Sequence, residues 1–64
     1  NEVNFVVQIN GKKRTLLKVK KDINETELLR IIKKDNISSK YIFNLKLKKI
    51  IFVKNRLINI LTDE

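Results

Sequence analysis

The sequence predicts an α+β roll with the element order β-β-α-β-β, in which one helix packs on one face of a mixed four-stranded sheet. Two stretches of alternating apolar residues joined by Asn10-Gly11 predict an N-terminal hairpin. A capped amphipathic stretch predicts the helix, and two β-branched runs follow it. The chain has 64 residues, of which 42% are hydrophobic, so we expect one small core and a single domain over residues 1–64.

The first two strands form the predicted hairpin. Apolar residues occupy every second position over residues 3–9, which is typical of a half-buried strand. The return strand is predicted over residues 12–20, where Thr15, Leu17 and Val19 share one parity. Asn-Gly between two such runs is a strong hairpin signal, because both residues tolerate the positive φ that a tight turn requires.

The faces of these strands predict the hairpin register. Residues opposite each other in an antiparallel pair share a face, so the odd-numbered apolar residues must meet each other. A two-residue loop would pair Ile9 with Lys12 and mix the faces, so we expect a three-residue loop with Gly11 in a bulge. The expected pairs are Val7 with Lys13 and Phe5 with Thr15, and the expected solvent face carries Asn4, Gln8, Lys12, Arg14, Lys18 and Lys20.

The helix is predicted over residues 24–35. Asn24 is a good N-cap, and Glu27 stands three residues later, as in a capping box. Asn36 can adopt the left-handed conformation that often ends a helix. The residues predicted to face the core are Leu28, Leu29 and Ile32.

Two further strands are predicted after the helix. A single helical turn through residues 41–43 precedes a β-branched run over residues 46–53. Lys54-Asn55 is the predicted tight turn, because Asn tolerates positive φ. The last strand is predicted over residues 56–61.

Composition excludes several classes of function. The chain has no Cys and no His, which removes disulfides, thiolate chemistry, zinc sites and imidazole catalysis. One Gly cannot build a glycine-rich phosphate loop. We therefore expect no catalytic residue, metal site or cofactor in this chain. Apolar runs are too short to span a membrane and no signal peptide is visible, so we expect a cytoplasmic protein without membrane contact. The chain starts at Asn1 without Met, so we expect an excised part of a longer protein.

The charge favours an acidic partner. Lys+Arg 15 against Asp+Glu 7 gives a net charge of +8, and Lys12, Lys13 and Arg14 cluster at the hairpin tip, where they could reach phosphates. A solvated strand face in a lysine-rich protein is an equally good explanation. A second cluster surrounds the last hairpin, where edge-strand lysines also deter aggregation. Its members are Lys46, Lys48, Lys49, Lys54 and Arg56.

Four aromatic residues have two possible roles. Aromatic side chains stack on the bases of single-stranded RNA, but each of these residues also sits where a small core would use it. The core role is the simpler prediction. The residues are Phe5, Tyr41, Phe43 and Phe52.

Residues 6–14, VVQINGKKR, resemble the V-V-Q-[VI]-N-G-K-x-R segment of the C-terminal domain of bacterial leucyl-tRNA synthetases. The resemblance continues through the acidic helix start at residues 24–27 and the K-Y-I of residues 40–42. It resumes with K-K-I-I-F-V at residues 48–53 and ends with R-L-I-N-I-L at residues 56–61. Nearly the whole chain is therefore similar to that family, in order and with compatible spacing.

Three places depart from the family pattern, and all three concern turns or special backbone positions. Thr15 stands where the family usually has Gly, and Lys54-Asn55 stands where it usually has Pro-Gly. The family's Pro-Ala-Asp lead into the helix is Lys20-Lys21-Asp22 here. These departures affect the expected turn geometry more than the family assignment.

The resemblance implies a ubiquitin-like (β-grasp) roll that forms the last module of a class I aminoacyl-tRNA ligase. Such a module is tethered flexibly to the rest of the synthetase and is expected here to be monomeric. It grips the outer corner of leucine tRNA, where the D and TΨC loops meet, and so supports aminoacylation and editing by upstream domains. The parent enzyme uses ATP, but no residue of this chain is expected to bind it.

The resemblance and the charge pattern together select candidate RNA-binding residues. The first group is the hairpin: Asn10, Gly11, Lys12, Lys13 and Arg14. The second group is Lys48, Lys49, Lys54 and Arg56. Two alternatives remain: a ubiquitin-like protein–protein interaction module that uses its basic face, and a binder of anionic membranes. The membrane alternative is the weaker one, because the helix begins with acidic residues and uses its apolar stripe for the core.

Overall fold

Four strands and one helix make up the part of the chain that the computed structural model describes, residues 1–35 and 46–63. The elements are β1 (Glu2–Ile9), β2 (Lys12–Lys20), α1 (Glu25–Lys34), β3 (Leu47–Val53) and β4 (Leu57–Thr62). The strands form one sheet in the order β2-β1-β4-β3, with β1 and β4 parallel and both outer pairs antiparallel. The predicted α+β roll with a mixed sheet is confirmed. The predicted Asn36 stop and the turn at 41–43 lie outside the described residues.

The hydrophobic core lies between α1 and one face of the sheet. Period-2 alternation places every second residue of β1 and β4 on this face, and helical spacing turns two residues of α1 toward it. Each such side chain contributes about 1.5–3 kcal/mol when fully buried. The fully buried core residues are Phe5, Val7, Ile9, Val19, Ile23, Leu28, Ile32, Ile58 and Ile60.

The core role of the aromatic residues is confirmed for the two that the structure describes. Phe5 is fully buried, and Phe52 packs against the core from β3. Their rings stack with centroids 5.7 Å apart and an interplanar angle of 17°. Tyr41 and Phe43 lie outside the described residues.

The predicted hairpin loop is wrong. Ile9 pairs with Lys12, so the loop is the two-residue Asn10-Gly11 turn, with φ of 53° and 82°. Both φ values are positive, as in the type I′ turn that matches strand twist. A bulge in β2 at Arg14 then restores the odd-with-odd pairing. The observed pairs are Val7 with Thr15, Phe5 with Leu17 and Val3 with Val19.

This register also corrects the predicted solvent face. Lys13 pairs with Gln8 on the face away from α1, whereas Lys12 pairs with Ile9 and shares the face of the core. Arg14 occupies the bulge between Lys13 and Thr15. The parity argument was correct about which apolar residues meet, but it placed the extra residue in the loop when it lies within the strand.

Both ends of α1 agree with the sequence. The backbone N–H of Glu27 donates to Oδ1 of Asn24 at 2.8 Å, and Nδ2 of Asn24 donates to Oε1 of Glu27 at 3.1 Å. The capping box is therefore formed, with the side-chain amide of Asn24 as the return donor. Asp35 closes the helix through a bond from its N–H to the carbonyl of Ile32 at 3.1 Å.

The turn between β3 and β4 is also as predicted. The N–H of Arg56 donates to the carbonyl of Val53 at 3.0 Å, and Asn55 has φ of 63°. Positive φ at the third residue of a turn is characteristic of type II, which accepts Gly or Asn there. No helix among residues 1–35 and 46–63 is long and apolar enough to cross a membrane.

Candidate nucleic-acid interface

The sheet has two chemically different ends. At one end, which we call the tip end, the Asn10-Gly11 turn lies beside the last residues of β4, because Ile9 pairs with Ile60. The start of β3 lies there too, because Leu47 pairs with Thr62. At the opposite end, which we call the paired end, Glu2 meets Lys20. The cationic residues of the strands and loops at the tip end are Lys12, Lys13, Arg14, Lys46, Lys48 and Lys49.

All three ion pairs of the described residues involve lysines away from the tip end. Lys18 lies 3.8 Å from Glu2, Lys20 lies 3.0 Å from Glu27, and Lys54 lies 3.8 Å from Asp22. The acidic residues thus neutralise the paired end. Exposed pairs of this kind stabilise a fold by only about 0–1 kcal/mol each. Their larger effect is on where the net positive charge is left.

The lysines of the tip end keep their charge available. None of Lys12, Lys13, Lys46, Lys48 and Lys49 forms an ion pair with any residue in ranges 1–35 and 46–63. All of them are exposed. Asp63 lies nearby, and its backbone N–H donates to the carbonyl of Lys46 at 2.9 Å. The tip end is therefore a cationic surface that is open to an anionic partner.

Two strand irregularities lie at this same end, and each carries a cation. Arg14 is the extra residue in the bulge of β2, and Lys48 is the extra residue where the register of β3 shifts between Leu47 and Lys49. A bulge increases local twist and re-aims side chains, and bulges are frequent beside functional sites. Lys13 and Lys49 share the outer face of the sheet, since they pair with Gln8 and Leu61.

The hairpin tip is fastened to β4 by four hydrogen bonds, which we call the clamp. The side chain of Asn10 donates to Oγ1 of Thr62 at 2.8 Å and accepts from the N–H of Thr62 at 2.9 Å. The N–H of Gly11 donates to Oδ1 of Asn59 at 3.0 Å, and the N–H of Asn10 donates to the carbonyl of Ile60 at 2.9 Å. The loop that presents the cations is therefore held as part of the sheet.

Curated relatives identify the kind of protein to which this segment is similar. The leucine–tRNA ligase of Buchnera aphidicola subsp. Schizaphis graminum is 42% identical over 55 residues, which cover 86% of this chain and 6% of the relative. The enzyme of Campylobacter hominis is 37% identical over 60 residues, or 94% of this chain and 7% of the relative. That of Petrotoga mobilis is 41% identical over 59 residues. The chain is homologous to a segment of the leucine–tRNA ligases.

Two further comparisons qualify this similarity. The segment spans only 6–7% of the length of these ligases, and no family model matches it. The LeuRS of Agrobacterium radiobacter K84 agnB2, solved as a ternary complex with tRNA and LeuAMS, contains the same fold. It superposes with a TM-score of 0.89 over 98% of this chain and 8% of that one, at 24% sequence identity.

The clamp joins the two parts of the sequence that most resemble leucyl-tRNA synthetases. Asn10-Gly11 belongs to the first motif, and Asn59 belongs to the R-L-I-N-I-L ending. Their contact, at 3.0 Å between the Gly11 nitrogen and Oδ1 of Asn59, spans 48 residues of chain. In this ligase segment, the two motifs therefore form one structural unit.

The second group of predicted binding residues is divided by the structure. Lys48 and Lys49 lie at the tip end with the hairpin, whereas Lys54 and Arg56 lie at the paired end. Lys54 is engaged with Asp22, and the carbonyl of Arg56 accepts from the N–H of Val6 at 3.0 Å. The ligase segment thus brings two of these four residues to the candidate interface.

The paired end has its own hydrogen-bonded link, between two of the turns that depart from the family pattern. The N–H of Asp22 donates to Oδ1 of Asn55 at 2.7 Å, and Nδ2 of Asn55 donates back to Oδ1 of Asp22 at 2.9 Å. This hydrogen bond, with smaller contributions from Lys54 and Lys21, lowers the pKa of Asp22 below its ordinary value. Asp22 therefore stays ionised and continues to neutralise this end.

Sequence reasoning missed Asn59 and Thr62. The alternation of β4 places Asn59 on the uncovered face and Thr62 on the core side, where it is only 6% exposed. A polar residue at a buried strand position was the available signal for Thr62, because such residues need a hydrogen-bond partner. No group of three or more potential metal ligands occurs in the described ranges.

Proposed function

We propose that this chain is the C-terminal tRNA-binding domain of a leucine–tRNA ligase, comprising residues 1–64. It grips the outer corner of leucine tRNA, where the D and TΨC loops meet. This grip supports the aminoacylation and editing that upstream domains carry out with ATP. The observation that carries the proposal is the separation of charge: unpaired lysines at the tip end and ion-paired lysines elsewhere.

Each group of residues at the tip end has a role in this proposal. Lys12, Lys13, Lys48 and Lys49 neutralise phosphates, and they contribute affinity that depends on salt. Arg14 can bind a phosphate through two parallel hydrogen bonds. Asn10 and Gly11 hold the loop on β4, and the absence of a side chain at Gly11 lets backbone approach the RNA closely. Contacts of this kind position a protein on RNA rather than read its sequence.

The comparisons support a tRNA partner. Homologous segments occur in leucine–tRNA ligases, and the same fold occurs in a LeuRS solved together with tRNA. The rest of the synthetase is the second proposed partner, joined to this domain through a flexible linker, in a cytoplasmic enzyme. Lys54 and Arg56 have a smaller role than predicted from the sequence, since they lie at the paired end.

A salt titration tests the proposal. The affinity of the chain for a leucine tRNA is measured between 50 and 300 mM salt, with an unstructured RNA of equal length as competitor. We expect preference for the folded tRNA and a log–log slope of about −0.7 to −0.9 for each phosphate contacted. Equal affinity for both RNAs would contradict recognition of the tRNA corner and leave only non-specific attraction to a chain of net charge +8.

One observation favours the alternative of a protein–protein interaction module. The sheet face away from α1 exposes Leu16, Ile51 and Val53 by 40–50%, and Lys13 and Lys49 lie on the same face. An acidic protein with apolar side chains would complement it. Binding that survives nuclease treatment, and that is lost on Ile51→Asp but not on Lys12→Ala, would support this alternative over the RNA-binding function.

A further inference from the structure

We infer that Asn59 and Thr62 are positioning residues for RNA binding: through the clamp they hold two groups of lysines at a fixed separation, which makes the tip end selective for RNA of rigid shape. The inference rests on the proposed function and deepens it. Neither residue carries charge, and neither was among the candidate binding residues.

The clamp is needed because the turn that it holds is small and lies at the end of an edge strand. Asn10 and Gly11 both have positive φ, and β2 has β1 as its neighbour on one side only. Beyond Ile9, the described contacts that fasten the loop to β4 are the four bonds of the clamp. Two of them involve side-chain atoms of Thr62 and Asn59 as acceptors. Removing these acceptors leaves the loop attached through its backbone and the carbonyl of Asn10 alone.

The clamp connects two groups of cations. Lys12 and Lys13 follow the clamped turn on β2, whereas Lys48 and Lys49 lie on β3, which pairs with β4 at Thr62 and Leu61. The two groups are three strand spacings apart, about 14 Å across the sheet. Because the clamp fastens the β2 side to β4, it fixes the distance between them.

Fixed spacing converts charge into selectivity. Lysines on a mobile loop bind any chain of phosphates, since counterion release does not depend on RNA shape. Two groups at a fixed distance favour an RNA whose own fold places phosphates at that distance. An unstructured RNA must be ordered to match them, and this ordering costs binding free energy. A tRNA has already met that cost in folding.

Thr62→Val tests the inference, with Thr62→Ser as the matched control. Val has nearly the shape of Thr and removes only the hydroxyl that accepts from Asn10, whereas Ser retains a hydroxyl. The measured quantity is the ratio of affinities for leucine tRNA and for an unstructured RNA of equal length. We expect Thr62→Val to lower this ratio about two- to tenfold, the effect of one hydrogen bond of ordinary strength. Affinity for the unstructured RNA and its salt slope stay unchanged, and Thr62→Ser retains the ratio.

Asn59→Ala provides a second variant at a half-buried site, in case Thr62→Val fails to fold. It removes the acceptor of the Gly11 N–H, so hydrogen exchange of that amide reports directly on the clamp. An unchanged affinity ratio, with faster exchange at Gly11, would overturn the inference. Equal weakening toward both RNAs would also overturn it. If the unaltered chain shows no preference for tRNA, the proposed function itself fails, and this outcome is distinct from both others.

Discussion

Removing two cations from the tip end should weaken RNA binding far more than removing two from the paired end. The test compares Lys12→Ala/Lys13→Ala with Lys18→Ala/Lys54→Ala. Both double variants lower the net charge by the same amount. The first pair is exposed and without ion pairs among the described residues, whereas the second is engaged with Glu2 and Asp22. The comparison therefore separates the location of charge from its total.

The magnitude follows from the number of phosphates released. Each contact contributes a slope of about 0.7–0.9 in log affinity against log salt, so losing two lowers the slope by about 1.4–1.8. At 0.1 M salt this corresponds to an affinity loss of about 25- to 60-fold. The control variants change only distant charge, which is largely screened beyond about 10 Å at that salt concentration. We expect them to lose less than about threefold.

Fluorescence anisotropy with labelled leucine tRNA, repeated at four or more salt concentrations, measures both slope and affinity. Thermal melts verify that the variants fold, because substitutions of exposed residues usually change stability by less than about 0.5 kcal/mol. Equal losses in the two double variants would refute the argument from charge separation. RNA attraction would then depend on net charge alone.

Three further predictions concern stability. Asn24→Ala removes the acceptor of the Glu27 N–H and should lower the free energy of unfolding by about 1 kcal/mol in urea titrations, whereas Asn24→Asp should not. Ile58 is fully buried, so Ile58→Val should cost about 0.5–1.5 kcal/mol and Ile58→Ala about 2–5, enough to populate unfolded chains visible by circular dichroism; equal costs would contradict its place in the core. The pKa of Asp22 is lowered in the folded state, so its contribution is present above its unfolded pKa of about 3.9 and is lost as pH falls through the lower folded value. The difference in thermal midpoint from Asp22→Asn should therefore shrink below about pH 4, and a difference independent of pH would show that this carboxylate does not act through its charge.

Local patterns were enough to predict the elements of the fold. The alternation of β1 and the spacing of Leu28 and Ile32 correctly identified the core faces, because period 2 and period 3.6 are set by backbone geometry. The register of the hairpin was wrong because Asn10 makes a two-residue loop possible, and a bulge at Arg14 restores the faces at a different place. Alternation shows which residues share a face but not where an extra residue lies.

The candidate site was predicted only in part, for a geometrical reason. Lys48 and Lys54 are close in sequence, but about six residues of extended strand separate them, a distance of about 20 Å. They consequently lie at opposite ends of the sheet, where Lys54 meets Asp22. Clusters along a strand therefore do not correspond to clusters in space, and the grouping depends on the order of strands in the sheet.

The central parallel pair has a consequence for folding. β1 and β4 bring together the two ends of the chain, and Asn10 and Thr62 are 52 residues apart in sequence. Such long-range pairing must close a large loop before it is stabilised by contacts, which slows folding relative to a helical protein of this size. During synthesis, β1 would lack its central neighbour until β4 leaves the ribosome. The cationic surface, which combines residues from β2 and β3, would form only at that last step.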